Sequence, residues 1–223
     1  MLTLVALVGL IGGPWLYSRY LEGPADPEFA LLSERRPATT GIDGHWSLAP
    51  KIGDPSRRSQ VGYRADQKLL WQTVTVDGRT DEVRGDAVID GKVLEAAKFV
   101  VDVASMHSSH HGRDDKFRGA DAMDVQKFPT AQLAVTESVD LSGLSAAGAP
   151  MSIEIPADLT LKGVTHRVAV QANIQRSGDR VFVAGQTSVV FADYNVSPPA
   201  PFAGLLAVQP IATVEFLINL AKR

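Results

Sequence analysis

Residues 152–174 read SIEIPADLTLKGVTHRVAVQANI, and two runs inside them decide the fold class. From Ser152 to Leu161, and again from His166 to Ile174, apolar and polar side chains largely alternate. Successive side chains of a strand point to opposite faces, so this period of two predicts strands with one face buried. The same texture continues in both directions. Upstream lie Ser59 to Ala65, Leu70 to Val76, Glu82 to Ile89, Lys98 to Ala104 and Gln132 to Val139; downstream lie Arg180 to Phe191 and Val208 to Asn219. Asp77-Gly78 and Asp90-Gly91 close two of these runs and read as hairpin turns, because glycine accepts the positive φ of a tight turn. One helical interruption is expected, from Asp114 to Asp124.

Short strands at this spacing predict an antiparallel sandwich or barrel. Some runs, such as Phe99-Val100-Val101, are apolar on both faces. In a closed barrel one face meets the lumen and the other meets solvent or a packed helix. About eight strands leave room for one small or elongated ligand when the inward residues stay apolar.

The chain has 223 residues, of which 45% are hydrophobic and 21% charged, with a formal net charge of -3. This balance excludes a nucleic-acid surface, which needs clustered Lys and Arg. The pairs Arg35-Arg36 and Arg57-Arg58 are short and isolated, and read as solvated loop charge. No cysteine is present, which excludes disulfides, Cys-based zinc sites, thiol catalysis and a lipidated cysteine.

The stretch Phe99 to Leu133, FVVDVASMHSSHHGRDDKFRGADAMDVQKFPTAQL, is the most specific in the chain. It resembles the YceI-like family: a β-branched strand into Asp102-Val103-Ala104-Ser105, then Arg113-Asp114, a short amphipathic helix, and an Asp-x-x-x-Phe-Pro turn ending at Phe128-Pro129. Asp158 to Arg167 (DLTLKGVTHR) is similar to that family's Leu-Thr-x-x-Gly-x-Thr element, with Gly163 in the turn. Phe191 to Val196 (FADYNV) is similar to its Phe-x-x-Asp-aromatic-Gly signature, carried here by Asp193 and Tyr194. Gly41-Ile42-Asp43 fits the family's opening, so the resemblance covers Ile42 to Leu220. Lys116 departs from the family's histidine and Asn195 from its glycine, and Asp43 to Gln60 carries an insertion-like basic loop. The resemblance implies an extended, lipocalin-like antiparallel barrel, usually exported, that holds a long polyisoprenoid or similar amphiphilic lipid inside.

The expected lumen lining is Phe99, Val101, Phe117, Leu133, Val135, Leu159, Leu161, Val189 and Phe191, although periodicity alone does not say which face is the lumen. Phe117 and Met123 fall on spacings that pack onto the barrel mouth, as a lid or as ordinary core. Arg113, Asp114, Phe128, Pro129, Gly163, Asp193 and Tyr194 are expected to shape the turns; Asp114 is expected as a helix N-cap, worth about 1 kcal/mol. His107, His110 and His111, followed by Asp114 and Asp115, are the sharpest apparent metal constellation, but they sit in a Ser- and Gly-rich loop and read as solvated. Ser105, Ser108 or Ser109 beside these histidines lacks any G-x-S-x-G elbow or glycine-rich oxyanion element. No catalysis, metal or cofactor is expected, apart from an isoprenoid quinone or polyprenoid bound as ligand. The alternatives are a ligand-free structural or stress-related interaction barrel, and a metal-dependent enzyme using the His107-His110-His111 loop.

At the N-terminus, Met1 to Tyr17 reads MLTLVALVGLIGGPWLY. It is close to the length that crosses a bilayer, about 20 apolar residues. Trp15, Tyr17 and Tyr20 lie where an interfacial aromatic belt would fall, and Gly12-Gly13-Pro14 would kink a helix. Residues 1–20 are therefore expected as a signal-anchor or transmembrane helix, 21–40 as a linker with a short helix over Glu28 to Arg35, and 41–223 as the barrel. Arg19 and Arg35-Arg36 follow the apolar run, so the positive-inside rule opposes an extracytoplasmic domain, which the family resemblance favours. Together these expectations describe a single-pass, membrane-anchored, extracytoplasmic lipid-binding barrel, with membrane and lipid as partners and a homodimer allowed for.

Overall fold

A computed structural model describes residues 24–51, 54, 57–69, 72–198 and 206–223. Among these residues eleven strands form one antiparallel sheet: β1 Gly44–Leu48, β2 Gln60–Leu69, β3 Gln72–Thr80, β4 Val83–Asp90, β5 Val93–Asp102, β6 Thr130–Val135, β7 Val139–Asp140, β8 Met151–Leu161, β9 Val164–Ser177, β10 Arg180–Val190 and β11 Leu206–Lys222. Eight of them close a ring in the order β1-β4-β5-β6-β8-β9-β10-β11. Pairing of Trp46 with Lys222 through Leu48 with Leu220 shuts it. β2 pairs with the other end of β11, from Leu206 to Leu217, and carries β3 on its outer side. β7 is a two-residue strand beside β5. The only α-helix among the described residues, α1, spans His111–Arg118.

Turn chemistry explains the tight connections. Gly91 and Lys92 both take positive φ, 55° and 70°, and place Asp90 opposite Val93, as the Asp90-Gly91 signal predicts. Lys162 and Gly163, at 48° and 78°, do the same between β8 and β9. Asp77-Gly78 behaves differently: it lies inside β3, opposite Arg64 and Tyr63. A Cβ on Gly78 would stand 2.6 Å from a ring carbon of Tyr63, so the glycine makes room for an aromatic ring instead of a turn.

Other expectations are corrected in detail. Gly44–Leu48 is a strand inside the stretch read as an insertion-like loop, and Val139–Asp140 is a separate short strand. The helix begins three residues earlier than expected, at His111, and ends at Arg118, six residues before the expected Asp124. No helix forms from Glu28 to Arg35.

The expected fold class is right in its barrel and its short helix, but the transmembrane or signal-anchor helix is corrected. No described helix is long and apolar enough to cross a membrane; α1 has eight residues, where about 20 are needed. The run Met1 to Tyr17 lies outside the described residues. Membrane anchoring, a membrane partner and single-pass localisation rested on that helix, and no helix among the described residues supports them. The homodimer is corrected on different grounds. Val190 and Ile211 are the exposed large hydrophobics among the described residues, and they do not support an apolar interface between copies.

One end of the ring is closed by its own side chains and loops. Trp46, 1% exposed, shares a buried cluster with Ile42, Leu141 and Leu144, and its indole N–H donates to the Ile42 carbonyl at 2.7 Å. The Gln175 amide, equally buried, donates to the Gly148 carbonyl at 3.0 Å and ties down the loop before β8. On the outside, residues 24–40 run extended against the barrel. Asp26 N–H donates to Asp77 at 3.2 Å, Arg64 donates to the Asp26 carbonyl at 2.7 Å, and Arg79 donates to the Pro27 carbonyl while its guanidinium lies 4.0 Å from the Phe29 ring centre. One oxygen of the buried Glu215 carboxylate accepts from both Arg64 and Arg79, at 3.1 and 3.0 Å.

Candidate ligand-binding cavity

Strand alternation sends one row of side chains from each strand into the ring. On β8 the inward row is Ile155, Ala157, Leu159 and Leu161; on β11 it is Ala212, Val214, Phe216, Ile218 and Leu220. Their neighbours Glu154, Asp158 and Glu215 point outward. The inward rows do not meet in the middle. They enclose a cavity of about 520 Å³, within the range of small-molecule sites, roughly 300–1,000 Å³.

The hollow has a compositional cause. Ala65, Ala87, Ala97, Ala131, Ala157 and Ala212 all face it. Ala87 pairs with Ala97 across β4 and β5, and Ala65 with Ala212 across β2 and β11. Two such pairs withdraw side-chain volume where leucines would fill the ring. The lining runs from Leu220 and Val181, near the closed end, to Val208, Phe191 and Pro198 at the other. With twelve residue-to-residue steps from Val208 to Leu220 and an ordinary strand tilt, that is about 30 Å along the barrel axis. The cavity is therefore long, narrow and apolar, a shape that fits one extended chain.

All nine residues expected in the lining, Phe99, Val101, Phe117, Leu133, Val135, Leu159, Leu161, Val189 and Phe191, border this cavity. Sequence reasoning missed the inward alanines, since it selected large apolar side chains. The signal was present as alanine at inward positions of alternating runs, but without knowing which face was inward it could not be read.

The mouth is built by the segment between β5 and β6. Arg79 and His107 exchange backbone hydrogen bonds of 2.8 and 3.1 Å, which joins the loop after β5 to the end of β3. Arg118 fixes α1 to that loop by donating to the carbonyls of Ala104, at 2.9 Å, and Met106, at 2.8 Å. The Phe117 ring then stacks on Tyr63, with centroids 4.9 Å apart and planes at 6°. Burial pushes the Tyr63 phenol well above its ordinary pKa, and the nearby carboxylates of Asp114 and Asp77 add to the effect. Met123 also borders the cavity, so Phe117 and Met123 both lie at the mouth.

The expected turn residues are placed as follows. Asp114 is not the N-cap; that position is His110, which makes no side-chain cap bond. Asp114 lies buried in the first helical turn and accepts from Ser108 N–H at 2.9 Å and Ser108 hydroxyl at 2.6 Å, so it closes the preceding loop. Arg113 borders the mouth. The Pro129 carbonyl accepts from Val103 N–H at 2.9 Å. The Phe128 ring lies where a Cβ on Gly163 would come within 2.7 Å of it, which with φ of +78° explains the glycine. Tyr194 is buried edge-on against His166, at 5.0 Å and 78°, and His166 Nε2 lies 2.9 Å from the Asp193 carbonyl oxygen. Asn195 takes φ 54°, the left-handed conformation that asparagine tolerates better than most residues. Lys162 binds this corner by donating to the carbonyls of Ala120, Asp121 and Asn195.

The histidine loop does not assemble a metal centre. Among the described residues no group of three or more His, Cys, Asp or Glu side chains is placed to hold a metal ion. Ser105 donates to the Asp102 carbonyl at 2.7 Å and lies 2.6 Å from the Thr80 hydroxyl, while Ser108 is bound to Asp114.

Comparison with known proteins agrees with this geometry. A family described as a YceI-like domain matches residues 54–220. A UPF0312 protein of Vibrio campbellii is 32% identical over 129 residues, which is 54% of this chain and 65% of that relative. A UPF0312 protein of Vibrio cholerae is 30% identical over 167 residues, covering 67% of this chain and 85% of the relative. The chain thus spans about 65% of the length of several curated relatives it matches. Among solved structures, a polyisoprenoid binding domain from Saccharophagus degradans superposes with a TM-score of 0.63 at 22% identity, over 80% of this chain and 98% of that one. BcnA of Burkholderia cenocepacia superposes at 0.57 and 19% identity, over 72% and 95%. At these identities the likeness shows a shared fold.

Proposed function

The chain belongs to the YceI-like family, and from that membership together with its cavity we propose that it is a binding protein holding one long apolar chain, isoprenoid-like or of another amphiphilic lipid, in the barrel lumen. It is not an enzyme; the family is one of non-catalytic binding barrels. The observation that carries the reading is the hollow itself: an apolar channel about 30 Å long, left open by inward alanines. Phe99, Val101, Phe117, Leu133, Val135, Leu159, Leu161, Val189 and Phe191 would contact the ligand. The Saccharophagus degradans protein of the same fold is described as polyisoprenoid binding, which supports an isoprenoid quinone or polyprenoid as the occupant here.

The energetics suffice without any polar recognition. Each buried methylene contributes about 0.8 kcal/mol, so ten such groups contribute about 8 kcal/mol before the cost of immobilising the chain. The direct test is to purify the full chain, extract it with organic solvent and identify the extract by mass spectrometry, then titrate the emptied protein with an isoprenoid quinone and a polyprenol. A stoichiometric apolar amphiphile, or saturable uptake of either probe, is expected. A ligand-free protein that takes up neither contradicts the proposal.

A further inference from the structure

The barrel wall is unzipped at one place. β9 and β10 pair from Arg180 with Ser177 to Gln186 with Gln171, and the ladder stops there, although β9 reaches back to Val164 and β10 runs on to Val190. The ladders on either side are unbroken over the same stretch. β8 pairs with β9 as far as Leu161 with Val164, and β10 with β11 as far as Val190 with Ile211. On the outer face the parted strands frame a cleft of about 540 Å³, bordered by His166 and Ala169 of β9, by Gln186 and Ser188 of β10, and by Tyr194. Two side chains close the seam. The Thr187 hydroxyl donates to the Ala169 carbonyl at 3.0 Å, and Thr187 borders both the cleft and the lumen. Tyr194, at the end of the 3-10 turn Phe191–Tyr194, is 2% exposed. It shares a buried cluster with the lumen-lining Leu159, Leu161 and Val189, and it meets His166 edge-on, so it stands between the two hollows.

Neither closure is strong. One side-chain hydrogen bond stands where a continued backbone ladder would bind the two strands. The Tyr194 hydroxyl is buried and has no hydrogen-bond partner among the described residues. A buried hydroxyl without a partner is costly, and one that swings into water regains its bond, so the closed position of the ring is disfavoured by that amount. Outside, Val190 borders the cleft and Ile211 is its cross-strand partner; these are the exposed large hydrophobics among the described residues. A chain leaving the lumen through the seam therefore passes from one apolar surface to another. We propose that the seam is a gated side exit of the lumen, with Thr187 as its latch and Tyr194 as its plug, through which the apolar ligand exchanges while the barrel stays folded. This rests on the lumen-binding reading and adds to it the route by which the site fills and empties.

The test loads the full chain with the fluorescent anthraniloyl ester of geranylgeraniol and follows its release by stopped flow into excess unlabelled geranylgeraniol. Thr187→Val keeps the shape but removes the latch, and release should quicken about threefold to tenfold, the worth of one hydrogen bond. Tyr194→Phe keeps the plug but removes the stranded hydroxyl, and release should slow by a similar factor of about three to ten. The opposite signs matter, because general loosening of the barrel cannot slow exchange. The chain has no cysteine, so a staple can be placed cleanly. Ala169→Cys/Ser188→Cys, bridged across the seam by a disulfide or a short bis-maleimide, should slow release and uptake alike by at least about tenfold, since a gate acts on the barrier. Asn173→Cys/Ala184→Cys, bridged within the zipped part, should leave the rate unchanged. A bridged seam that exchanges at the parent rate overturns the side exit, as does Tyr194→Phe releasing as fast as the parent or faster; the lumen reading survives both results, because the probe is still bound. Where thiol titration shows the bridge unformed, the signs of the two single variants decide. A parent chain that shows no saturable binding of the probe overturns both readings.

Discussion

Replacing Glu215 by glutamine should destabilise the barrel far more than an average surface change. One Glu215 oxygen accepts from Arg64 and Arg79 at 3.1 and 3.0 Å; the carboxylate side chain is 4% exposed and each arginine 16%. Glutamine keeps the shape and one acceptor but removes the charge. Two guanidinium groups are then left side by side, with Asp77 at 3.9 Å from Arg79 as the nearest remaining partner. Removing one member of a buried ionic cluster typically costs about 3–5 kcal/mol; retained hydrogen bonding here favours about 3 kcal/mol. For a domain of this size that is a fall in Tm of roughly 6–12 °C. Thermal unfolding followed by circular dichroism on the full chain measures it. The physical reasoning also predicts that Arg64→Met/Arg79→Met/Glu215→Leu recovers much of the loss, because the cost arises from stranding charge and not from losing attraction. A drop below about 2 °C in the single variant, or a triple variant less stable than the single one, would refute this account. Ligand uptake should be unaffected, since Glu215 faces outward from a strand whose inward row includes Val214 and Phe216.

Three further outcomes are expected. Ala157→Leu adds carbons at a fully buried inward position; a filled interior would lose about 1–3 kcal/mol, whereas beside a hollow the Tm should hold and the longest chain bound should shorten in a chain-length titration. Gly163→Ala meets both a φ of +78° and the Phe128 ring, and should cost about 2 kcal/mol in chemical denaturation. The Tyr63 phenol, held protonated mainly by burial, ionises less readily in the folded than in the unfolded chain. Its contribution to stability is complete below the unfolded pKa of about 10 and is lost as pH rises above it, because there the unfolded state binds fewer protons. Tm should fall faster between about pH 9.5 and 11 in the parent than in Tyr63→Phe; identical slopes would count against it.

Much of the barrel was legible because strand periodicity is a local property. Runs such as Ser152 to Leu161 and Arg180 to Phe191 recur as β8 and β10 within a residue or two. Gly44–Leu48 escaped because its five residues are defined by pairing with β4 and β11, partners far away in sequence. Asp77-Gly78 misled because two different demands, a positive φ and the absence of a Cβ beside Tyr63, both select glycine. The site was half legible. Phe99 and Leu133, cross-strand partners on β5 and β6, were visible as large inward side chains. The alanine pairs that create the hollow were not, since an alanine reads alike in a lumen and in a tight core. That Arg113 and Lys116 border the lumen depended on where α1 sits over the ring, which no local pattern encodes.

The account stands or falls on whether the ring encloses an open apolar channel. A crystal structure of the full chain grown with geranylgeraniol measures this directly. Continuous density for an extended chain along Ala157, Leu159 and Phe216 is predicted. A lumen closed by its own side chains, or one filled with ordered water, would contradict it.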